Sequence, residues 1–175
     1  MFNRAYEGIP KSWKKLGIAD DSLKKVNPHY SLANEEYSTN CINCISAYEM
    51  RKRGYDVTAR PATKNHYLAR NPEAAWIDPD VRLTKGSGLE DILNVAKEWP
   101  DSARAEIAVS WKAGNKGHVF IAEKEKGVVS FYDVQSGEEC SEKVFSKVKE
   151  NETRFWRIDN LEPSDRGITA CEAGD

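Results

Sequence analysis

One run constrains this chain more than any other: Tyr37-Ser38-Thr39-Asn40-Cys41-Ile42-Asn43-Cys44-Ile45-Ser46-Ala47-Tyr48-Glu49-Met50-Arg51-Lys52-Arg53-Gly54. A polar turn leads into a segment whose pattern predicts a helix over 41–53. Asn40 suits the N-cap, where a side-chain oxygen accepts from backbone N–H groups two or three residues on. Arg51, Lys52 and Arg53 fall in the last turn, where the carbonyl end of the helix dipole favours cations. Gly54 suits the left-handed position just beyond. Cys41 is thereby placed at the positive end of a helix, which favours the thiolate form and makes it a candidate nucleophile.

A thiolate nucleophile needs a base, and the base needs orienting. Gly117-His118-Val119-Phe120-Ile121-Ala122 reads as a strand opening on histidine. Phe131-Tyr132-Asp133-Val134-Gln135-Ser136-Gly137 ends a second strand with a carboxylate at a turn. Cys41, His118 and Asp133 therefore follow one another as nucleophile, base and orienting acid. Gln135 serves equally as a site residue or a turn holder. Asn40 is a cap, or adds its amide N–H to an oxyanion hole beside the Cys41 backbone N–H.

Other chemistries fit less well. Asn-Cys-x-x-Cys resembles a zinc half-site, but zinc needs a second ligand pair, and Cys140 and Cys171 are too scattered to supply one. No metal and no cofactor are expected. Thioredoxin-like redox chemistry would need a βαβ context ahead of the motif. The four cysteines have no disulfide-scaffold spacing, so reduced thiols and cytosolic folding are expected. A formal net charge of −2 gives no electrostatic case for nucleic acid or an anionic membrane as partner. No apolar run approaches a membrane span, and Met1-Phe2-Asn3-Arg4 lacks a signal-peptide core.

At 175 residues the chain has about one domain's length. Residues 1–36 are polar, with short helical pieces at 12–16 and 20–26, and read equally as an arm, a linker or a first subdomain, packed on the rest or not. Residues 37–161 carry the motifs. Tyr55–Ala59 looks like a short strand, and 60–86 an irregular loop with Pro61, Pro72 and Pro79, in which Tyr67 and Trp76 are candidates for a substrate rim. Apolar positions 89, 92, 93, 96 and 99 predict a helix stopped by Pro100. From residue 104 the period changes to two: strands at 105–111, 118–123 and 128–133 are joined by the turns Gly114-Asn115-Lys116-Gly117 and Lys126-Gly127. A short helix near 142–149 and a last strand, 153–159, follow. The stretch 162–175 reads as a polar, frayed tail. Helix first and antiparallel meander afterwards make the fold class α+β.

These motifs resemble the papain-fold toxin 1 domain, a glutamine-deamidase-like module of bacterial polymorphic toxins. The likeness rests on Asn40-Cys41-x-x-Cys44, on Ala47-Tyr48-Glu49-Met50-Arg51-x-Arg53-Gly54-Tyr55-Asp56-Val57, on Gly117-His118-Val119-Phe120 and on Asp133-x-Gln135-Ser136-Gly137. Arg157-Ile158-Asp159-Asn160-Leu161 looks like the closing strand of a phage- and mobile-element-associated branch. Val134 stands where that family usually has proline. The resemblance implies a papain-like cysteine-protease fold with the catalytic helix packed on the meander, a Cys-His-Asp site, and attack on a carboxamide of a protein substrate. It also implies an effector or toxin, delivered to another cell or acting for a phage, with an immunity protein as a conceivable partner. Cysteine protease, transglutaminase-like transferase and inactive phage structural module are the alternatives.

The nucleophile itself has two candidates. Cys41 lies at the helix mouth, whereas Cys44 aligns with papain's own cysteine motif and otherwise packs as a small apolar residue. The aromatics Trp111, Phe120, Phe131, Phe155 and Trp156 read as sheet core, and His29 and His66 as solvated loop residues.

Overall fold

The computed structural model describes residues 8–16, 23–63 and 66–174; the start of the expected 20–26 helical piece lies outside these. The chain forms two compact units, one from residues up to 78 with 134–138 and 161 onward, the other from 79–133 and 139–160.

In the first unit, strand β1 (Lys14–Lys15), helix α1 (Glu35–Ser38), helix α2 (Cys41–Lys52) and strand β2 (Tyr55–Ala59) are followed by helix α3 (Tyr67–Arg70). Gly54 adopts φ 97°, the left-handed stop that ends α2. Arg51, almost wholly buried, reaches past that stop, its Nη1 donating to Asp56 Oδ1 at 3.3 Å and to the Val57 carbonyl at 3.1 Å. Far from being a frayed tail, residues from Glu162 onward supply helix α5 (Asp165–Thr169) and strand β9 (Cys171–Ala173). β9 pairs with β2 (Ala59 opposite Cys171), giving a three-stranded antiparallel sheet in the order β1-β2-β9. α2 lies against β2, β9 and α5. The early segment is part of this unit: Trp13 and Val26 are buried, and Ala59 N–H donates to the Val26 carbonyl. Residues 12–16, expected to be helical, instead contain β1, because two residues paired to β2 gain hydrogen bonds that one isolated helical turn cannot sustain.

The second unit is built on a six-stranded antiparallel sheet, ordered β3-β8-β4-β5-β6-β7. Its strands are β3 (Arg82–Leu83), β4 (Arg104–Ser110), β5 (Gly117–Glu125), β6 (Val128–Asp133), β7 (Glu138–Cys140) and β8 (Arg154–Arg157); helix α4 (Leu89–Ala96) precedes β4. Lys126 and Gly127 both take positive φ, 49° and 78°, the two-residue turn that suits the twist of the β5–β6 hairpin. Ile92, Ala96, Ala105, Ile107, Phe120, Phe131, Phe145 and Phe155 form the core. Phe120, Phe131 and Phe145 meet edge to face with centroids 5.2–6.3 Å apart. Trp156 is buried too, but Glu106 faces it across the strands while Ile107 faces Phe155, so Trp156 lies on the other side of the sheet. The expected helix near 142–149 is 3₁₀ over Glu142–Lys147, capped by the Ser141 hydroxyl accepting from Lys143 N–H. Helices with antiparallel sheets make the architecture α+β.

Candidate active site

Cys41 is the first residue of α2 and is half-buried. The first intrahelical bond runs from Cys44 N–H to the Asn40 carbonyl at 3.1 Å, so the N–H groups of residues 41–43 precede it at the positive end of the helix. Cys44 is fully buried, its thiol donating to Asn40 Oδ1 at 3.5 Å. Burial pushes Cys140 up to about 11, with the Asp133 carboxylate adding to the effect. Burial also raises Cys171 well above the ordinary thiol range.

Asn40 does not cap the helix through its side chain. That side chain is 3% exposed and turned into a polar knot. Its Nδ2 donates to Asn27 Oδ1 and to the Arg60 carbonyl, both at 3.0 Å, and its Oδ1 accepts from Asn27 Nδ2 at 3.2 Å and Gln135 Nε2 at 3.4 Å. A buried amide is costly unless satisfied, and these partners outcompete the backbone N–H, two or three residues on, that a cap would reach. Both amide hydrogens are directed at these two oxygens, which argues against Asn40 Nδ2 as an oxyanion donor in this geometry. Gln135 is buried within the same knot. Val134, in the proline position, is fully buried as an apolar contact.

In the second unit the pairing of Ala122 with Phe131 sets one face of the sheet. The two-residue period puts His118, Phe120 and Ala122 of β5 on that face with Phe131 and Asp133 of β6. His118 Nε2 lies 3.1 Å from Asp133 Oδ2. The imidazole stacks on Trp111 at 5.7 Å between centroids and on Phe120 at 6.4 Å, which fixes the ring plane. A carboxylate at Nε2 holds the proton there in the neutral ring and puts the lone pair on Nδ1, the arrangement of a general base.

The two rim candidates differ. Tyr67 is 46% exposed and carries the Arg166 guanidinium 4.1 Å from its ring centroid. Trp76 is 1% exposed, with Arg53 over its ring at 5.6 Å, so it is a core residue and not part of a rim. Its large apolar surface is worth more buried than presented to water. His66 has its pKa lowered by burial and by the Arg166 charge, which sets it apart from a freely solvated histidine.

Asn27 was not singled out by the sequence. Its signal, one asparagine between Val26 and Pro28, is indistinguishable from an ordinary turn residue. Among the described residues no group of three or more His, Cys, Asp or Glu could hold a metal ion, and no helix is long and apolar enough to cross a membrane.

None of the curated proteins compared with the chain matches it. Residues 39–138, more than half of the chain, match the family described as papain fold toxin 1, glutamine deamidase. The match begins just before the candidate nucleophile, takes in His118 and Asp133, and ends just past Gly137. The chain therefore belongs to the papain fold toxin 1, glutamine deamidase family.

Proposed function

We propose that the protein is a cysteine-dependent hydrolase that deamidates a glutamine side chain of a target protein and acts as a toxin through that modification. The observation that carries the reading is the family match, which contains Cys41, His118 and Asp133 together. The Nε2–Oδ2 hydrogen bond between His118 and Asp133 supports their roles as base and orienting acid. The position of Cys41 at the start of α2, with Cys44 fully buried, favours Cys41 as nucleophile.

The chemistry then runs as two acyl transfers. Cys41 gives its proton to the imidazole and attacks the carboxamide carbon. The oxyanion rests on backbone N–H groups at the start of α2, with Asn40 and Gln135 holding that end of the helix in place. The C–N bond breaks as imidazolium protonates the leaving nitrogen, and ammonia departs. Water, deprotonated by His118, adds to the thioester, and the C–S bond breaks to release glutamate and the thiol. Asp133 stabilises each imidazolium.

The test is expression of wild type and Cys41→Ala in a bacterium, with mass-spectrometric mapping of glutamine-to-glutamate conversion across the proteome. Conversion at one target in the wild type alone is expected. New chain termini would mean a protease, amine adducts or cross-links a transferase, and identical proteomes a binding module.

A further inference from the structure

Asn27 lies outside every motif, yet it is 5% exposed and bonded through both ends of its amide to Asn40, the residue that precedes α2. Its Nδ2 lies 2.9 Å from the Tyr37 carbonyl, 3.0 Å from the Gln135 carbonyl and 3.2 Å from Asn40 Oδ1, two hydrogens shared among three acceptors. Its Oδ1 accepts from Asn40 Nδ2 at 3.0 Å, closing a reciprocal amide pair. The orientation is over-determined. Turning either amide over would set oxygen against oxygen and nitrogen against nitrogen.

Asn27 thus bonds three stretches of chain at once: helix α1 just before α2, the residue peptide-bonded to Cys41, and the turn beginning two residues after Asp133. The same strand of chain touches that last turn again. Gly137 takes φ 77°, and a Cβ there would stand 3.2 Å from Lys24 Cα. Burying an amide with all its polar capacity spent costs little when it is fully bonded and leaves several groups unsatisfied when it is lost.

We propose that Asn27 is a positioning residue for the nucleophile. It holds the Asn40–Cys41 peptide, and so the N–H groups that stabilise the thiolate and the oxyanion, in the geometry the reaction requires. The proposal rests on the reading of Cys41 as nucleophile. A displacement of about 1 Å at such a site costs on the order of 10²-fold in rate, while substrate contacts made elsewhere are spared.

Asn27→Ala and Asn27→Ser, beside wild type and Cys41→Ala, would be tested in three ways: thermal melting, kcat and KM for deamidation, and the pH dependence of Cys41 alkylation by iodoacetamide. Both variants should fold. Their kcat should fall ~10–100-fold with KM nearly unchanged, and the pH at which Cys41 alkylation is half-maximal should move up. Unchanged kcat and alkylation midpoint in folded protein would overturn the proposal. So would a loss no greater than the unfolded fraction, or failure of both variants to fold, since each makes the role purely architectural. If wild type deamidates nothing, the functional reading fails separately, and the alkylation midpoint still reports whether Asn27 holds the start of the helix.

Discussion

His118 Nε2 stands 3.1 Å from Asp133 Oδ2, and the two residues are fifteen apart in sequence, brought together across a single hairpin. The pairing of Ala122 with Phe131 sets that closeness. A slip of one residue in β6 would turn Asp133 to the opposite face of the sheet. The stacked Trp111 and Phe120 rings restrain the imidazole on its flanks.

His118→Ala should lower the rate of ammonia release by ~10²–10⁴-fold. Asp133→Ala should also lose most activity, with KM near that of the wild type. Asp133→Asn should retain more, because an amide oxygen still accepts from Nε2–H although it no longer balances an imidazolium. Steady-state ammonia assays on the modified target check all three, and equal activity in Asp133→Ala and wild type would remove Asp133 from the mechanism.

Thiol reactivity should separate the four cysteines under native conditions. Alkylation depends on thiolate fraction and access. Cys41, half-buried at a helix start, should react first with iodoacetamide near neutral pH. Cys44 and Cys171 are sealed in the interior, and Cys140, at about 11, is almost entirely thiol there. Peptide mapping after timed quenching gives the order, and Cys140 reacting ahead of Cys41 would contradict it.

Asp159 ties the end of β8 to the start of β4, accepting from Arg157 Nε at 2.9 Å, Arg157 Nη2 at 2.8 Å and Arg104 N–H at 2.8 Å. Burial opposes its charge, but these hydrogen bonds and the two guanidinium charges outweigh burial and hold its carboxyl below the ordinary range. With the folded pKa depressed, the unfolded chain binds the proton more readily. The stabilisation is therefore complete above an unfolded value of about 3.9 and is lost as pH falls through the lower folded value. Asp159→Asn should cost about 1.5–3 kcal/mol at neutral pH. Urea titrations at several pH values should show that deficit shrinking in acid.

Gly88 opens α4 at φ 95°, and a Cβ there would stand 2.7 Å from Thr84 Oγ1 and 2.8 Å from Thr153 Cγ2. Gly88→Ala combines a left-handed backbone with overpacking and should destabilise the protein by ~2–4 kcal/mol. Thermal melting checks it. Gly86→Ala shares the positive φ but has open space around its Cβ, so it should cost less.

The elements that were legible in the sequence are those whose signal is local. α2, β2 and β6 carry their own punctuation in Gly54, in the alternation of 55–59 and in Lys126-Gly127, and they run where the pattern places them. The helix expected to reach residue 99 ends at Ala96, because Trp99 turns inward to join the core and meets Phe155 at 6.5 Å. β1 and β9 were not legible. A two- or three-residue strand has no period to detect, and both exist because β2 supplies a distant edge. At the candidate site, Cys41, His118 and Asp133 could be named from residue type and context. The true partners of Asn40 could not, since Asn27 and Gln135 are separated from each other by 108 positions.

The pairing of β9 with β2 has a consequence for how such a chain comes into being. The helix bearing Cys41 leaves the ribosome more than a hundred residues ahead of Cys171–Ala173, yet it lies against the strand they form. A nascent or prematurely terminated polypeptide would hold its sulfur on a helix with part of its bed missing. On the proposed reading of Cys41 as nucleophile, activity is expected only once translation has passed that strand, and fragments from broken messages are expected to be inert.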